Sequence, residues 1–503
     1  MTYSFDPFLA GLSTNWYADD ALLQALLARY ARGVPAGAGS GLAAWGERVA
    51  THLRALAEES ARPESQPRLR HFDAYGRRVD DVVLPASTLA ALAEVEGTQR
   101  LGGVHGDPFA FYASGYLYAQ NGEAGVACSM ACTDGLVRVL EARGNRPEHE
   151  EAVRKVRASS AARVYHGAQF VTEIQGGSDV AANRVEALSD GDAFRLRGQK
   201  WFCSNINADY FLVTARPEGA PPGGRGVALF LVPTRLEDGD WQRNGYTIDR
   251  LKDKLGTREL ATAEVRFDGA VGYMVAPPDR GIADLLTYVL TPSRFACVSF
   301  AASALRQAER IATAYVEFRT AFGRRLIDFA QVSAEVAGIR AARERALASL
   351  FELLRLWERS GEAGVKGVEA LDFRLMLSLC KPVLTRQATS LLHEAMMLLG
   401  ANGIEERFSS LPRLYRDAVI IETWEGPHNV LFDQALRDMV RFSIDPAAFV
   451  ERIAGERRDE LARELEGILA ASNDPATVSA FSRWSAKLVD AFGERVVADA
   501  VAG

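Results

Sequence analysis

The spacing of apolar residues changes twice along the 503-residue chain. Before about residue 165 they recur every three or four positions, as in 16–32, 42–59 and 109–143, which predicts amphipathic helices. From about 168 to 275 the repeat shortens, and the run 194–197 alternates apolar and charged residues as a half-buried strand does. The runs 210–214, 227–232 and 264–267 are also strand-like, so we expect a compact antiparallel sheet or barrel here.

The helical spacing returns from about 281 to 442. Long amphipathic runs cover 305–322, 334–357 and 369–399, with a break expected at 361–367. Beyond Asp445-Pro446 the pattern predicts two further helices, separated at 473–475. The predicted fold is therefore mainly α with a central β-barrel: helical domain 1–165, barrel 166–278, four-helix bundle 279–445 and helical extension 446–503.

Charge and composition narrow the class of protein. The net charge of −7 favours neither nucleic acid nor an anionic membrane, and no apolar stretch reaches the length of a membrane span. The five cysteines lack zinc-ligand spacing, so we expect small buried side chains and no metal. The first residues lack the basic start and apolar run of a signal peptide, and we expect a cytoplasmic protein.

Two short segments carry the candidate chemistry. Residues 172–180, Thr-Glu-Ile-Gln-Gly-Gly-Ser-Asp-Val, form a glycine-rich loop with many backbone and hydroxyl donors, which suits a polyanionic or heteroaromatic cofactor. Residues 423–426, Thr-Trp-Glu-Gly, place the carboxylate of Glu425 between an aromatic ring and a flexible glycine. A cofactor cradle and one positioned base are what is needed to remove a proton from carbon while a cofactor accepts hydride.

These segments and others in the same order resemble the acyl-CoA dehydrogenase flavoprotein family over about 75–445. The runs 71–80, 198–204 and 250–267 resemble its AidB-like, adaptive-response branch in particular, as does Trp424, where most members of the family have Tyr. The resemblance implies a helical domain, a β-barrel and a helical bundle, with FAD held between barrel and bundle at a subunit interface.

The resemblance assigns the flavin contacts residue by residue. It implies that Thr172, Gly177 and Ser178 contact the flavin or its phosphates. It places Phe202 against the isoalloxazine ring and the hydroxyl of Ser204 near the ring nitrogens. A flat aromatic ring is a stacking surface, and donors to the flavin make it a better hydride acceptor. The alternative is a sheet-entry turn followed by alternating strand positions.

A second set of residues resembles the family's adenosine-side elements. Arg319-Thr-Ala-Phe-Gly resembles the Arg-x-x-Phe-Gly element that reaches the FAD of the partner subunit, where Arg319 would meet the pyrophosphate. The positions implied near the adenosine half, or in the glycine turn beside it, are Phe322, Gln331, Gly400 and Gly403. Because Arg319 is useful only if another subunit's cofactor lies within reach, we expect a homodimer or a homotetramer.

The resemblance also implies a reaction. Glu425 would abstract the α-proton of an acyl-CoA or acyl-carrier thioester while flavin N5 accepts the β-hydride. Trp424, Gly426 and Arg294 would line the thioester end of the substrate. An electron-transfer flavoprotein is the kind of acceptor that we expect. Pro427 departs from the family, which usually has Thr or Ser there, and His428 is interpreted as a surface or capping residue.

Three other functions stay open. One is a damage-response flavoprotein associated with nucleic acid, although 446–503 holds seven Lys and Arg against ten Asp and Glu, which disfavours contact with phosphates. Another is a flavin oxidase or monooxygenase on the same scaffold. The last is a flavin-binding oligomer without turnover, which Pro427 keeps open.

Overall fold

A computed structural model describes residues 4–31, 39–98, 107–236, 242–361, 367–472, 474 and 476–502. The predicted separation of the last helices at 473–475 therefore lies partly outside the described residues. The chain folds into two compact units. The bundle unit comprises Met1–Arg54, Gly106–Gly122 and Arg294–Gly503, and the barrel unit comprises Ala55–His105 and Glu123–Ser293. The predicted division into four domains stays a prediction.

Helices dominate the described residues. In chain order they are α1 (Asp6–Ala10), α2 (Ala21–Tyr30), α3 (Gly39–Arg48), α4 (Arg54–Ser60), α5 (Ala86–Leu92), α6 (Pro108–Ala119), α7 (Ala127–Arg143), α8 (Pro147–Arg157), α9 (Gly281–Asp284), α10 (Thr291–Phe318), α11 (Ala330–Ser360), α12 (Gly367–Leu398), α13 (Leu411–Thr423), α14 (His428–Arg441), α15 (Pro446–Ala454), α16 (Asp459–Ala470) and α17 (Thr477–Ala502). Short π-helical turns at Val49–Leu53, Ala93–Thr98 and Leu285–Leu290 extend α3, α5 and α9.

The strands lie between α4 and α11. They are β1 (Arg68–Phe72), β2 (Arg78–Val83), β3 (Gly167–Phe170), β4 (Glu186–Asp190), β5 (Ala193–Ser204), β6 (Tyr210–Pro217), β7 (Ala228–Pro233), β8 (Arg235–Leu236), β9 (Gln242–Arg243), β10 (Tyr246–Leu251), β11 (Thr262–Ala276), β12 (Thr320–Ala321) and β13 (Arg324–Arg325).

The central sheet closes on itself. Strand β5 pairs with β4, β4 with β6, β6 with β7, β7 with β11, and β11 again with β5, so these five strands form a ring. Strands β10 and β3 extend the sheet from β11 and β6. Inside lie apolar side chains such as Phe170, Leu196, Phe211 and Phe230, all at most 1% exposed. The predicted barrel is confirmed, but the sheet is mixed, because β6 runs parallel to both β3 and β4.

A hairpin of the barrel unit was missed by the apolar pattern. Strands β1 and β2 pair over residues 68–83, where the sequence indicates only an irregular segment. Asp80 anchors the hairpin: it is 1% exposed and accepts hydrogen bonds from Arg78 Nε at 2.9 Å and from the main-chain N–H of Ile248 at 3.0 Å. His71 Nδ1 lies 2.8 Å from the same carboxylate. Part of the 71–80 run therefore serves to fix this hairpin to β10.

The bundle unit is built on the long helices α10, α11 and α12, with α13 and α14 packed against α12. The predicted long helices 334–357 and 369–399 are confirmed here, and so is the mainly helical fold with a central barrel. The predicted run 305–322 is only partly helical, because α10 ends at Phe318 before the β12–β13 hairpin. Two expectations for other helices are wrong. The run 109–143 is broken between α6 and α7, where Gly122 and Gly125 have φ of +85° and +75°. The described part of the extension holds three helices, because Gly455, at φ +74°, ends α15 with a left-handed cap.

The cysteines and the most apolar helix are buried. All five cysteines are free and buried, as predicted. In the described part of the chain, the stretch Gly281–Phe318 is long and apolar enough to cross a membrane by length and composition. Its apolar window is 72% buried, which is the environment of a core helix.

Candidate active site

The Trp-Glu-Gly turn (residues 423–427) connects two helices of the bundle unit. Helix α13 ends at Thr423, Trp424 is extended, and α14 begins after Pro427, the residue at its N-cap. Between them Glu425 has φ +54° and Gly426 has φ +104°. A left-handed conformation is unfavourable for a glutamate, so neighbouring contacts must hold it. The carboxylate-bearing residue is half-buried rather than at an open loop surface.

Arg294 holds the main chain of this turn. Its side chain projects from the first turn of α10, is 8% exposed, and donates from Nε to the main-chain oxygen of Glu425 at 3.1 Å. Burial lowers the pKa of Arg294, and the charge of Glu425 opposes that shift. The structure thus places two predicted site residues, Arg294 and Glu425, in direct contact. It gives Arg294 a contact with the backbone of the proposed base, in addition to any contact with a substrate.

Lys381 is a second buried cation at the turn, and no feature of the sequence singled it out. It lies in the middle of α12, is 0% exposed, and donates from Nζ to the main-chain oxygens of Glu422 at 2.8 Å and Gly426 at 2.9 Å. A lysine in an amphipathic helix ordinarily indicates a solvent-exposed position, so the pattern predicts the opposite of what is observed.

Two neutral side chains complete the surroundings of the turn. Burial raises the pKa of the Cys297 thiol to about 12. His428 is 8% exposed and makes no side-chain cap, so its interpretation as a surface or capping residue is wrong. Burial, with Arg386 and Lys381 nearby, lowers the pKa of His428 to about 4. Its Nε2 lies 3.3 Å from Glu422 Oε2 without hydrogen-bond geometry, so near neutral pH the contact is not an ion pair.

The glycine-rich loop (residues 172–180) lies on the barrel unit and is tied to its sheet. The main-chain oxygen of Thr172 accepts a hydrogen bond from Trp201 N at 3.0 Å. An ideal Cβ on Gly177 would lie 2.7 Å from Thr172 Oγ1, so any side chain there would have to displace that hydroxyl. Ser178, the third predicted residue, is exposed. The loop is therefore held against the sheet at Thr172, whereas the hydroxyl-bearing Ser178 is exposed to solvent.

A buried ion pair fixes the start of this loop. Lys200, 0% exposed, donates to Glu173 Oε1 at 2.8 Å, and Glu173 also accepts from the main-chain N–H of Arg184 and Val185. Burial lowers the pKa of Lys200 to about 8. Burial alone would raise the pKa of Glu173, but Lys200 and its hydrogen bonds lower it. Glu173 thereby positions Thr172, its neighbour in the chain.

A bulge in β5 presents two aromatic rings beside this loop. Trp201 and Phe202 together face the single residue Glu264 of β11, because the register shifts by one residue there. Phe202 is 51% exposed. Lys252 Nζ lies 4.6 Å from the ring centroid of Phe202 and 3.6 Å from that of Trp201. The ammonium therefore lies over both rings, and it also donates a hydrogen bond to Glu264 Oε1 at 2.6 Å.

Ser204 lies two residues further along β5 in a polar cluster. Its Oγ is 3.1 Å from Thr262 Oγ1, which accepts a hydrogen bond from Lys254 Nζ at 2.9 Å. Both Lys252 and Lys254 belong to the run 250–267. The sequence identified that run by its resemblance to the AidB-like branch and gave neither lysine a role. The barrel unit therefore brings together the loop residues Thr172 and Gly177 and the strand residues Phe202 and Ser204.

The Arg319 element forms a small hairpin on the bundle unit. Strands β12 and β13 are joined by Phe322 and Gly323, with φ of +51° and +81°, as in a two-residue type I′ turn. The turn leaves Phe322 97% exposed. The main-chain oxygen of Arg319 accepts a hydrogen bond from Leu326 N at 2.8 Å. An aromatic ring is thus displayed at the tip, beside an arginine at the base.

The other adenosine-side candidates lie on separate elements. Gln331, near the start of α11, is exposed and donates to Glu335 Oε1 at 3.0 Å. Gly400 has φ +61°, and an ideal Cβ on Gly403 would lie 1.9 Å from the main-chain oxygen of Met396. Both glycines are therefore required by the end of α12 itself. Asn402, between them, donates to Tyr315 Oη of α10 at 3.0 Å.

Family models match three consecutive parts of the chain. They are described as the adaptive response protein AidB N-terminal domain for residues 10–161, the acyl-CoA dehydrogenase middle domain for 168–270, and the acyl-CoA dehydrogenase C-terminal domain for 279–440.

Individual proteins are similar over most of the chain. Acyl-CoA dehydrogenase family member 11 of Caenorhabditis elegans is 32% identical over 84% of this chain and 70% of its own length. The putative acyl-CoA dehydrogenase AidB of Escherichia coli is 32% identical over 80% of this chain and 75% of its own. The crystal structure of Caenorhabditis elegans ACDH-11 in complex with C11-CoA is 26% identical, with a TM-score of 0.83, covering 96% of this chain and 87% of that one.

Proposed function

The chain belongs to the acyl-CoA dehydrogenase family, in its AidB-like branch, and we propose that it catalyses the FAD-dependent α,β-dehydrogenation of an acyl thioester. The family predicted from the sequence motifs is thereby confirmed, and with it the enzyme class of oxidoreductases that act on CH–CH groups. The proposal goes beyond the family and the enzyme class. It names the cofactor, the substrate and the roles of single residues.

One observation carries the proposal: the half-buried Glu425 stands in a left-handed turn whose carbonyl oxygens are held by the buried cations Arg294 and Lys381. Such a conformation persists only where surrounding structure enforces it, which is a property of functional sites. A solvent-exposed acid in a connecting loop would need neither the strain nor the buried cations. The geometry suits a general base that must meet a substrate from one direction.

The barrel unit has the groups that FAD requires. Phe202 offers an exposed ring on which the flavin could stack. The hydroxyls of Ser204 and Thr262 could form hydrogen bonds with heteroatoms of the flavin ring. Thr172 is the first residue of a loop that is rich in glycines and backbone donors. FAD, when bound, supplies the acceptor for the β-hydride.

The protein's own part in the reaction is to remove the proton and to hold the turn. The α-proton of a thioester is weakly acidic, so the base must be ionised and aimed before the substrate arrives. Glu425 would take that proton on its carboxylate. Arg294 and Lys381 keep its main chain fixed, and Gly426, which has no side chain, leaves room for the thioester.

The substrate class is proposed as acyl-CoA. This rests on family membership and on the ACDH-11 complex with C11-CoA, a protein that covers nearly the whole chain. Chain length and branching depend on the shape of the acyl pocket. An electron-transfer flavoprotein is the proposed acceptor.

We also propose a homo-oligomer in which the β12–β13 hairpin contacts a second copy. Phe322, at the tip of this tight turn, is 97% exposed and so buries almost none of its ring within its own subunit. Burial against a partner would remove that apolar surface from water. Homodimer and homotetramer both satisfy this requirement.

The charges of the C-terminal helices argue against DNA as a partner. Basic residues of 446–502 are engaged with acidic ones, in the pairs Arg452–Asp372, Arg457–Asp459, Arg458–Glu456, Lys487–Glu464 and Arg495–Glu352. Binding to phosphates would have to displace these carboxylates, in a segment whose net charge is already negative.

An anaerobic titration tests the proposed reaction. The purified flavoprotein is mixed with acyl-CoAs from short branched to long straight, and the oxidised flavin band is followed. We expect bleaching with one substrate class, at least ~10³-fold slower in Glu425→Gln because the base is lost. Glu394→Gln, an exposed glutamate of α12, is the matched control and should bleach like the wild type.

The remaining outcomes separate the alternatives. A yellow protein that no thioester reduces would contradict the dehydrogenase proposal and favour a damage-response role. Hydrogen peroxide formed in step with substrate loss would favour an oxidase. A protein that cannot be reconstituted with FAD would contradict the assignment of the cofactor.

A further inference from the structure

Lys381 occupies a buried position, where the charged side chain of a lysine is energetically unfavourable. It is 0% exposed in the interior of α12, directly before Pro382, which is also buried. A buried ammonium needs partners for its donors, and an apolar side chain would fill the same space at lower cost. Its presence therefore points to something that only an ammonium supplies.

The partners of Lys381 are both main-chain oxygens of the same short segment. Nζ donates to Glu422 at 2.8 Å and to Gly426 at 2.9 Å, so one group spans the turn from the last turn of α13 to the residue after Glu425. Arg294 donates to the oxygen of Glu425, which lies between them. Three carbonyls within five residues thus point to two buried cations, and these contacts oppose the relaxation of Glu425 from its left-handed conformation.

Charged and titratable groups face the turn from every helix packed against it. They are Arg294 and Cys297 on α10, Lys381, Arg374 and Arg386 on α12, Glu422 on α13 and His428 on α14. Near neutral pH the thiol and the imidazole carry no charge, since their pKa values lie at about 12 and about 4.

The other two arginines on this list have other environments. Arg374 is paired with Asp438 at 2.7 Å, and Arg386 is exposed to solvent. The buried cations Arg294 and Lys381 therefore balance the carboxylates of Glu422 and Glu425.

We propose that Lys381 is a positioning residue for the proposed base: it locks the turn that aims Glu425, and it places a positive charge beside that residue. This inference rests on the proposed function for its catalytic consequence. The structural part, that Lys381 fixes the conformation of the turn, stands without turnover.

The structural part is tested by hydrogen exchange. In the full-length flavoprotein, Lys381→Met should accelerate amide exchange in residues 422–431 by ~10-fold or more, because hydrogen bonds from a charged donor are lost. Cys380→Ala is the matched control. It removes side-chain volume at the neighbouring buried position of α12 without touching the turn, and should leave that peptide protected. If Lys381→Met does not fold, Lys381→Leu, which also lacks hydrogen-bond donors, replaces it in the same comparison.

The catalytic part is tested on the same variants. Lys381→Met should slow flavin reduction by acyl-CoA ~10–100-fold, while substrate affinity changes less than ~3-fold. The acidic limb of the kcat/KM profile should move up by about one pH unit, because loss of a nearby positive charge disfavours the carboxylate. Lys381→Gln should recover exchange protection but keep the pH shift, and Lys381→Arg should move both readouts back toward the wild type.

The outcomes test the structural part and the catalytic part of the proposal separately. Wild-type exchange in Lys381→Met overturns the positioning role whatever the activity. Wild-type rate and pH profile in Lys381→Met, with a wild-type protein that is reduced by acyl-CoA, overturn the catalytic role while the proposed function stands. A wild-type protein that no thioester reduces contradicts the proposed function, and faster exchange in Lys381→Met then still supports the fixed turn.

Discussion

Gly426 packs its backbone directly against the side chain of Leu431. An ideal Cβ on Gly426 would lie 3.1 Å from Cδ2 and 3.3 Å from Cγ of Leu431, which is buried at the start of α14. The glycine also has φ +104°, a conformation that residues with a side chain rarely adopt. Two independent constraints therefore require glycine directly after the proposed base.

Gly426→Ala should consequently destabilise the protein and displace Glu425. We expect the free energy of unfolding to fall by about 1–3 kcal/mol, from backbone strain together with the contact to Leu431. Flavin reduction by acyl-CoA should slow ~10-fold or more, because a small displacement of a base is costly to the rate. Denaturant unfolding and stopped-flow reduction measure the two effects.

Gly338→Ala is the matched control substitution, and we expect it to raise the free energy of unfolding rather than lower it. Gly338 is an exposed residue within α11, and no atom lies within 4 Å of its ideal Cβ. Alanine there should raise the free energy of unfolding by about 0.5–1 kcal/mol, since it has the higher helix propensity. Equal losses in both variants would show that the constraint at Gly426 is not local.

The sequence predicted best where periodicity and packing agree. The long helices α11 and α12 carry regular apolar faces, and the barrel strands β6 and β7 are runs of apolar residues, so each of these elements was expected close to its observed range. Helix α10 was expected over 305–322, but it spans Thr291–Phe318. Candidate site residues such as Glu425, in a turn, and Phe202, in a strand bulge, were expected from motifs rather than from periodicity. In both cases the prediction used only a local signal, and the roles of the site residues stay predictions.

The sequence was least informative where a polar side chain is buried for the sake of a distant partner. Asp80 and Lys381 look like surface residues, because their burial depends on backbone groups 168 and 45 residues away. The β1–β2 hairpin was missed since its strands are rich in charge and alternate only weakly. His428 was misassigned for the same reason: a histidine at a helix start does not reveal what packs over it.

Phe202→Ala should weaken flavin binding. The ring is 51% exposed on an outer bulge of β5, so its removal costs little core packing, and the main loss is the stacking surface. Stacking of aromatic groups is worth about 0.5–1.5 kcal/mol, so we expect FAD to bind up to ~10-fold more weakly. Titration of the apoprotein with FAD, followed by flavin fluorescence, measures the affinity.

Phe72 offers a control of the same residue type. It is 57% exposed on β1 of the same unit. Phe72→Ala should leave the affinity for FAD within ~2-fold of the wild type, because its ring is assigned no stacking role. Equal loss of affinity in the two variants would mean that Phe202 acts through general stability of the barrel unit, and the proposed cofactor surface would lie elsewhere.

His428 should make the protein sensitive to mild acid. Burial, with Arg386 and Lys381 nearby, lowers the pKa of its imidazole from 6.5 to about 4. Between pH 6.5 and pH 4 the unfolded chain therefore binds a proton that the folded protein does not. The free energy of unfolding from this group is fully present above pH 6.5 and decreases as the pH falls toward 4.

His428→Gln should remove that dependence. Relative to its value at pH 7.5, the free energy of unfolding at pH 5 should fall by about 1–2 kcal/mol less in His428→Gln than in the wild type. His393→Gln, which removes an exposed histidine of α12, should retain the wild-type acid dependence. Parallel curves for wild type and His428→Gln over this range would show that folding does not lower this pKa, so that the imidazole is protonated in the folded protein below about pH 6.5. The turn would then carry a third cation beside Arg294 and Lys381, and the charge balance around Glu425 would have to be revised.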